Sequence, residues 1–409
     1  MKRLLHLLIS RLVHQPGLLR LIAATLQRLP PLEGLAADRM GLATRARSVA
    51  EIFLRDSSFS NTSHAPNLVA GPFAIGMESG PRHDAERAAL VAMLPPAQEF
   101  ADGAQACARA SMGSLLAAGP AGFDLVEDYM LWVAWGGLRT VFGPAAAALE
   151  SSAGGARALF ELMRHPGAHL IIGQVAPRHV QARSTLMGSR LRHVVQANLA
   201  TLRDARPGWQ GSDEQIIDRA VGLLWVAHPA TVQAVALVMQ EWLGQPQVLH
   251  GLHSRARALG PGIWEDASFR HAVKTAAGQA LQRRPPFPLL VRDVPRKTSF
   301  GIDDTRQASL KAGSHAVVLP VAAMAEAAQA GGCPFHQQQP KTGPDGSFGL
   351  VFGMGRRDCI GQNQAIETVT SGLIGLLALP PLTWADPVWR RMRYDGPIIV
   401  RMRLRPRAA

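Results

Sequence analysis

The spacing of apolar residues divides the chain into two regions. Between about residues 84 and 283, long segments rich in Ala, Leu and Arg carry apolar side chains at the 3.6-residue spacing of amphipathic helices. Because Pro and Gly interrupt helices, groups of these residues predict the boundaries between them. Such groups lie at 119–120, 166–167, 207–208 and 260–262. This region is therefore predicted to be a succession of helices.

The chain after residue 284 has a different pattern. The sequence Pro285-Pro286-Phe287-Pro288 is expected to end a helix, and the apolar runs at 289–291 and 316–319 are typical of short strands. Residues 331–350 are predicted to form a long irregular loop, and a loop of this length inside a compact domain is usually functional. The whole pattern predicts a mainly α fold with a smaller β region.

The first thirty residues are predicted to form an amphipathic segment. Its polar stripe consists of Arg3, His6, Ser10, Arg11 and His14. No stretch here reaches the roughly 20 uncharged apolar residues that span a bilayer, and no convincing signal-peptide cleavage site follows. Two interpretations stay open: a helix that lies on a lipid surface, or one that packs on the protein's own body. Residues 31–409 are expected to form one large domain.

Composition narrows the class of protein. Apolar residues make up 47% of the 409 positions and charged residues 18%, which argues against disorder and against a coiled coil. The net charge of +13 favours a negatively charged partner: an anionic membrane surface, an acidic protein or nucleic acid. Aromatic residues are only 6% and no zinc-finger spacing is present, so nucleic acid is not expected. Three scattered cysteines predict a reducing, cytoplasmic location, and the Ala, Arg and Leu content suggests a bacterial source.

The strongest candidate for a metal-ligating site is the segment Phe352-Gly353-Met354-Gly355-Arg356-Arg357-Asp358-Cys359-Ile360-Gly361. Glycines around a cysteine let the backbone curl close to the sulfur and point N–H groups at it, which lowers thiolate basicity and favours metal ligation. The apolar positions 366, 369, 373 and 377 predict a helix directly afterwards, so the sulfur is expected near a helix N-terminus.

This segment resembles the haem-binding loop of the cytochrome P450 family, Phe-Gly-x-Gly-x-Arg-x-Cys-x-Gly, at all six fixed positions. The resemblance extends over about residues 65 to 380 and implies a cytochrome P450-like fold around haem b. It also implies that Cys359 is the axial thiolate on the iron, that Phe352 packs beside the sulfur, and that Arg357 pairs with a haem propionate.

Two further segments resemble the family in the expected order. His83 and Arg87 stand four apart at the start of a predicted helix, so both side chains lie on one face. The resemblance implies that they clamp a haem propionate. Arg292, which follows the Pro285–Pro288 segment, is similar to the family's arginine that reaches a propionate.

The sequence departs from the family at two places. Where the family has a buried Glu and Arg on one helix face, this chain has Gln279 and Gln282, whose amides can still exchange hydrogen bonds at this i, i+3 spacing. In the long helix predicted over 216–242, Thr231 matches the family's threonine, but Ala230, or Pro229 in a shifted register, stands in place of the acid.

In the family, that acid and threonine normally organise water and deliver protons. Because this chain lacks the acid, the route of proton delivery is left open. His228 is the nearest titratable group to the missing acid. It is interpreted either as a proton shuttle or as a core histidine with satisfied hydrogen bonds.

Two other cysteines have simpler interpretations. Cys333 and His336 are close in sequence, but no further zinc ligands have suitable spacing. Cys107 lies in an Ala-rich helical segment and is expected to be a small buried apolar residue.

The resemblance implies a haem-thiolate monooxygenase that oxidises a mostly apolar small molecule, supplied with electrons by an acidic ferredoxin or another donor. The missing acid leaves a peroxide-dependent or redox-neutral haem enzyme as an alternative: a peroxygenase, a hydroperoxide isomerase or a dehydratase. A non-catalytic haem-binding protein is the third hypothesis.

Overall fold

The computed structural model describes residues 40–172, 178–301, 307–329, 348–387, 390–395 and 398–407. The predicted amphipathic segment 1–30 lies outside the described residues. So do Cys333, His336 and most of the loop predicted over 331–350.

Helices dominate the described residues, as the apolar spacing predicts. They are α1 (Ala46–Leu54), α2 (Pro81–Met93), α3 (Ala97–Ala117), α4 (Leu131–Phe142), α5 (Ala145–Ala153), α6 (Ala156–Ile172), α7 (Arg178–Ala197), α8 (Leu199–Ala205), α9 (Asp213–Leu243), α10 (Pro246–Leu259), α11 (Ala267–Arg283), α12 (Pro320–Gln329) and α13 (Gln362–Ala378).

The strands form small sheets at the edges of the helical body. They are β1 (Met40–Ala43), β2 (Phe123–Asp124), β3 (Leu290–Val294), β4 (Thr298–Gly301), β5 (Gln307–Leu310), β6 (Ser314–Val318), β7 (Leu382–Trp384), β8 (Met392–Asp395) and β9 (Ile398–Pro406). One sheet has the order β1-β6-β3, with β1 parallel and β3 antiparallel to β6. A second has the order β2-β9-β7 with β8 also paired to β9, and β4 and β5 form a hairpin.

Helix α9 runs through the centre of the protein. Ser212 begins it with a capping box: its hydroxyl accepts from the N–H of Gln215, whose side chain accepts from the N–H of Ser212. Among the described residues, α9 is the helix long and apolar enough to cross a membrane, and 78% of its most apolar stretch is buried. Its apolar side chains, Trp225 and Trp242 among them, therefore belong to the core.

The predicted break at Pro166-Gly167 is wrong, because α6 continues through both residues. Pro166 removes one helical hydrogen bond. Helix α6 nevertheless packs along α7 and α9 and buries Leu162, Met163 and Leu170, and this burial outweighs the loss of one bond.

Gln279 and Gln282 both lie on α11, where Gln279 is exposed and Gln282 is half-buried. Ion pairs elsewhere join this helix to its neighbours. Glu367 of α13 accepts from Arg270, at 2.9 Å, and from Lys274.

A second ion-pair cluster lies at the C-terminal end of α11. Glu241 of α9 accepts from Arg283 and Arg284, each at 2.6 Å. Burial works to raise the pKa of Glu241, but hydrogen bonds from the two arginines hold it below its usual value. Helix α11 and the residue after it are therefore tied to α9 and α13 by ion pairs.

Candidate functional site

A large cavity of about 750 Å3 lies between α9, α2, β3 and the segment that precedes α13. Its wall is mostly apolar, with Phe73, Leu170, Leu223, Val226 and Phe287 among the lining residues. This volume is typical of sites that enclose a cofactor or a drug-sized molecule. Polar side chains concentrate at one part of the wall and include Asn61, His64, His83, Arg87, Arg292 and Arg357.

The Gly-rich loop brings Cys359 to this cavity. Gly353 and Gly355 have φ values of 73° and 76°, in the left-handed region that favours glycine. A Cβ atom on Gly355 would also lie 3.1 Å from the carbonyl oxygen of Phe53. The N–H of Cys359 donates to the carbonyl of Phe352 at 2.8 Å, which closes the loop. Helix α13 begins three residues after the cysteine, as predicted.

Cys359 has accessible surface because it faces the cavity, although protein surrounds it on the other sides. Burial raises the pKa of its thiol to about 11, and a hydrogen bond from the N–H of Gly361 partly opposes this. The expected stabilisation of the thiolate by a backbone N–H is therefore present, but burial disfavours the charged sulfur more than one amide stabilises it.

Phe352 lines the cavity beside this loop. Its ring is half-buried, and the ring centroid lies 5.5 Å from that of Phe348. The residue therefore contributes both an apolar wall and, through its carbonyl, the hydrogen bond that positions Cys359.

Arg292 lies on β3 opposite Ala316 of β6, with only 7% of its surface exposed. Its guanidinium donates to Asn61 Oδ1 and stands over the ring of Phe53 at 5.4 Å. Among the described residues, no carboxylate lies within ion-pairing distance of Arg292. Burial, together with the charge of Arg357, lowers its pKa to about 10. A buried cation without a carboxylate indicates a site for an anionic ligand.

Arg357 and His83 belong to the same part of the cavity wall. Arg357 donates to the carbonyl of Met77 at 2.7 Å and to Ser79 Oγ at 2.8 Å, and it lies 3.6 Å from Asp56. His83, in the first turn of α2, is 3% exposed, and its Nδ1 is 3.2 Å from Asp84 Oδ1. Burial lowers the pKa of His83, so the ring is neutral at neutral pH.

Arg87 has a partner that the sequence did not suggest. It donates to the backbone carbonyl of Asp358 at 2.6 Å and also to the Asp358 carboxylate. Arg87 still lines the cavity. It therefore connects α2 to the residue that precedes Cys359.

The residues of α9 fall on two sides of the helix. Ala230 and Thr231 line the cavity, and the Thr231 hydroxyl donates to the carbonyl of Ala227 at 2.8 Å. His228 does not line it: its ring stacks on Phe160 at 4.8 Å, and Nε2 is 2.9 Å from the carbonyl oxygen of Leu131. Burial lowers the pKa of His228 to about 4. The geometry fits the core-histidine interpretation and not the proton shuttle.

Sequence reasoning missed Asn61 and His64, which lie in or beside a 3₁₀ turn at Thr62–Asn67. His64 bonds the backbone of Val291, and burial, together with the charge of Arg292, lowers its pKa to about 4. No spacing marks these residues in the sequence, because their role depends on contact with β3, far along the chain. An Asn and a His three positions apart do not by themselves predict a ligand-binding site.

Comparison with known proteins gives a match at the level of structure. No protein-family model and no curated protein matches the chain. Solved structures match nearly its whole length. The chain is similar to the cytochrome P450 enzyme CYP109B1 from Bacillus subtilis, with a TM-score of 0.71, 17% identity, and coverage of 96% of this chain and 100% of the other.

Two further solved structures agree with this match. Cytochrome P450 EryK from S. erythraea gives a TM-score of 0.69 at 17% identity, with 96% of each chain covered. P450BioI, crystallised in complex with hexadec-9Z-enoic acid ligated acyl carrier protein, gives a TM-score of 0.69 at 13% identity, covering 97% of this chain and 99% of the other. The protein therefore has the cytochrome P450 fold, as the resemblance implied.

Proposed function

We propose that the protein is a haem-thiolate monooxygenase that oxidises a mostly apolar small molecule. The observation that carries the proposal is the placement of Cys359 on the wall of a large apolar cavity that is also lined by the buried Arg292 and by the half-buried Arg87 and Arg357. An iron porphyrin would be held by this combination: a side-chain ligand for the metal, apolar walls and cations for two propionates.

The residues present fit haem b. Cys359 faces the cavity from the loop before α13 and supplies the metal ligand. Arg292, buried without a carboxylate, and Arg357, which lines the same wall, are the cations proposed for the propionates. His83 and His64 lie beside them and, as neutral rings, donate their one N–H to Asp84 and to the backbone of Val291. Arg87 is proposed to act on the Cys359 loop through Asp358 as well as on a propionate.

When bound, haem with a thiolate ligand supplies oxygen activation and favours cleavage of the O–O bond. The chain's own residues are proposed to bind the substrate, exclude water and transfer protons. The apolar wall formed by Phe73, Leu170, Leu223 and Val226 excludes water and binds the substrate against α9. The Thr231 hydroxyl, on the cavity side of α9, is proposed to hold water and pass a proton along it.

The second candidate function is that of a peroxide-dependent enzyme that uses the same haem cofactor. Among the described residues that line the cavity, the one carboxylate is Asp358, and Arg87 already pairs with it. The α9 side therefore offers no carboxylate for proton delivery. Peroxide already carries the protons and electrons that dioxygen needs, so a peroxygenase does not require that carboxylate.

An acidic ferredoxin is the proposed electron donor, because a net charge of +13 attracts an acidic protein. The sequence also allows a peripheral membrane contact through residues 1–30, in a cytoplasmic protein.

Turnover under two conditions separates the two candidates. The haem-loaded protein is given an apolar substrate with a reductase and ferredoxin in air, and separately with hydrogen peroxide alone. A monooxygenase forms product in the first condition at a rate that falls with ionic strength, since long-range attraction of the ferredoxin is screened. Product from peroxide alone supports the second candidate. Haem binding without product in either condition contradicts both.

A further inference from the structure

Strand β9 carries a row of arginines on one side of its sheet. Successive side chains of a strand point to opposite faces, and Met402 and Leu404 of β9 are both fully buried in the core. The positions that alternate with them are all arginines: Arg401, Arg403, Arg405 and Arg407. The N–H of Arg407 donates to the carbonyl of Pro381 at 2.6 Å, so strand pairing continues to this residue. The row therefore lies on the face of the sheet that points away from the core.

The neighbouring strands contribute to the same face. Arg393 of β8 is exposed and lies directly opposite Arg401, and Asp124 of β2 lies opposite Arg403. Side chains that stand opposite one another in an antiparallel pair share one face of the sheet. We call the surface formed by Arg393, Arg401, Arg403, Arg405 and Arg407 the arginine face.

The carboxylates near the arginine face are too few for its charge. Asp386 lies 3.8 Å from Arg401 and 3.6 Å from Arg403, and Asp124 lies 3.7 Å from Arg401. Among the described residues, no carboxylate lies within ion-pairing distance of the other three arginines, which are Arg393, Arg405 and Arg407. The face therefore carries an excess of positive charge in contact with solvent.

Two of these arginines stand where they repel each other. Arg393 and Arg401 are directly opposite across the β8–β9 pair, and like charges in this arrangement destabilise a sheet. The ion pairs of Arg401 are longer than hydrogen bonds, so its guanidinium N–H groups are free to donate to a ligand. An anion bound in front of both arginines would offset the repulsion and accept hydrogen bonds from them.

We propose that the arginine face binds the phosphate groups of an anionic lipid membrane. A guanidinium donates two parallel hydrogen bonds to a phosphate, and a membrane presents many phosphates in one plane, opposite the row of arginines on the sheet. Basic residues beside an anionic membrane are attracted to its surface potential. No residue of the arginine face lines the large cavity, so the proposal does not depend on the cofactor or on the reaction.

Other anionic partners match the arginine face less well. A stable protein interface has an apolar or aromatic centre. The exposed large apolar side chains of the described residues all lie on helices and not on this sheet: Leu54, Val91, Leu116 and Leu186. Single-stranded nucleic acid is bound by stacking on exposed aromatic rings, whereas Trp384 of β7 lies opposite Leu404, on the core side of the sheet. Phosphates that need only charge and hydrogen bonds fit the face best.

Vesicle binding tests the proposal. The full chain is mixed with vesicles of equal parts phosphatidylglycerol and phosphatidylcholine, and separately with vesicles of phosphatidylcholine alone. Sedimentation of the vesicles gives the Kd in each case. We expect tighter binding to the anionic vesicles, and a Kd that rises with salt concentration, because salt screens exposed charges.

Glutamine substitutions locate the contact. The combined variant Arg393→Gln, Arg405→Gln and Arg407→Gln removes the arginines that have no carboxylate partner among the described residues. Each such charge near an anionic surface is worth about five-fold in affinity, so the Kd for the anionic vesicles should rise about 100-fold. Lysine at the same three positions keeps the charge and should keep most of the binding.

The matched control removes the same charge elsewhere. Arg82 on α2, Arg257 on α10 and Arg296 between β3 and β4 are also exposed. The combined variant Arg82→Gln, Arg257→Gln and Arg296→Gln should leave the Kd nearly unchanged. Both triple variants keep residues 1–30, so any lipid binding by that segment is the same in each.

The midpoint of urea unfolding checks that the variants are folded. It should match the wild type, since the arginine-face variant breaks no ion pair between described residues. If the triple variant unfolds, Arg405→Gln alone should still raise the Kd about five-fold.

Equal Kd values for the two glutamine variants would overturn the proposal, because binding would then follow net charge or residues 1–30. Equal binding of the wild type to both kinds of vesicle, or to neither, would overturn it as well. Soluble polyglutamate and duplex DNA test the other occupants. If either binds more tightly than the anionic vesicles and loses this binding in the arginine-face variant, the partner is an acidic protein or a nucleic acid and not a membrane.

Discussion

The guanidinium of Arg87 bonds both the carbonyl and the carboxylate of Asp358, the residue directly before Cys359. This contact joins α2 to the cysteine loop across 271 positions of sequence. It gives Arg87 a structural task in addition to the propionate contact that the resemblance implies.

We therefore predict that Arg87→Leu loses most of the bound haem, because it removes both bonds to the loop and a cation from the cavity. Asp358→Ala should lose less, since the bond to its backbone carbonyl persists. The haem-to-protein absorbance ratio measures both. Arg82→Leu, an exposed position on the same helix, is the control and should retain haem. Equal haem content in Arg87→Leu and Arg82→Leu would contradict this role.

Cys359 is predicted to be the thiolate that would bind the haem iron. Cys359→Ser should abolish the red-shifted absorption band of the reduced, carbon monoxide-bound protein, because only a thiolate ligand produces it. Cys107→Ser should keep the band, since Cys107 lies on α3 and does not line the cavity. The assignment fails if Cys359→Ser retains the band.

Arg292 and Arg357 are predicted to hold the propionates. Substitution of either by Leu should yield mainly apoprotein, because the carboxylates would then enter the cavity without a cation. The neighbouring Arg356 is exposed and pairs with Asp84, so Arg356→Leu controls for the loss of charge alone. Haem content in the Arg292 and Arg357 variants as high as in Arg356→Leu would remove the assignment.

His228 is predicted to make stability depend on pH. Its pKa falls from 6.5 in the unfolded chain to about 4 in the folded protein, so the unfolded state binds more protons between these values. Its contribution is fully present above pH 6.5 and is lost as the pH falls toward 4, by about 3 kcal/mol in total. His228→Phe should flatten this slope in urea-unfolding measurements. Some slope should remain, because His64 titrates over the same range.

Thr231 is predicted to take part in proton delivery, and His228 is not. Thr231→Val should uncouple dioxygen reduction, so that more electrons end in peroxide per molecule of product, while peroxide-driven turnover persists. His228→Phe should couple like the wild type, since His228 does not line the cavity. The ratio of product to NADH consumed checks both. Equal ratios in Thr231→Val and the wild type would show that Thr231 is not the relay.

Local sequence determined much of the fold. The 3.6-residue spacing placed the helices of the 84–283 region, and Pro285–Pro288 marked the end of α11. The Gly-rich loop marked Cys359 as a candidate ligand because its backbone conformation needs glycine at positions 353 and 355. These features depend on residues that are close in sequence, so a reader of the sequence can see them.

Only the tertiary structure decided the partners and the environment of each site residue. Arg87 bonds Asp358, and His228 lies in the core against Phe160. Burial raises the pKa of Cys359 by more than the hydrogen bond from its amide neighbour lowers it. Helix α6 continues through Pro166 because packing against α7 and α9 outweighs one lost hydrogen bond. Burial and long-range contact set these outcomes, and both depend on parts of the chain that no local pattern brings together.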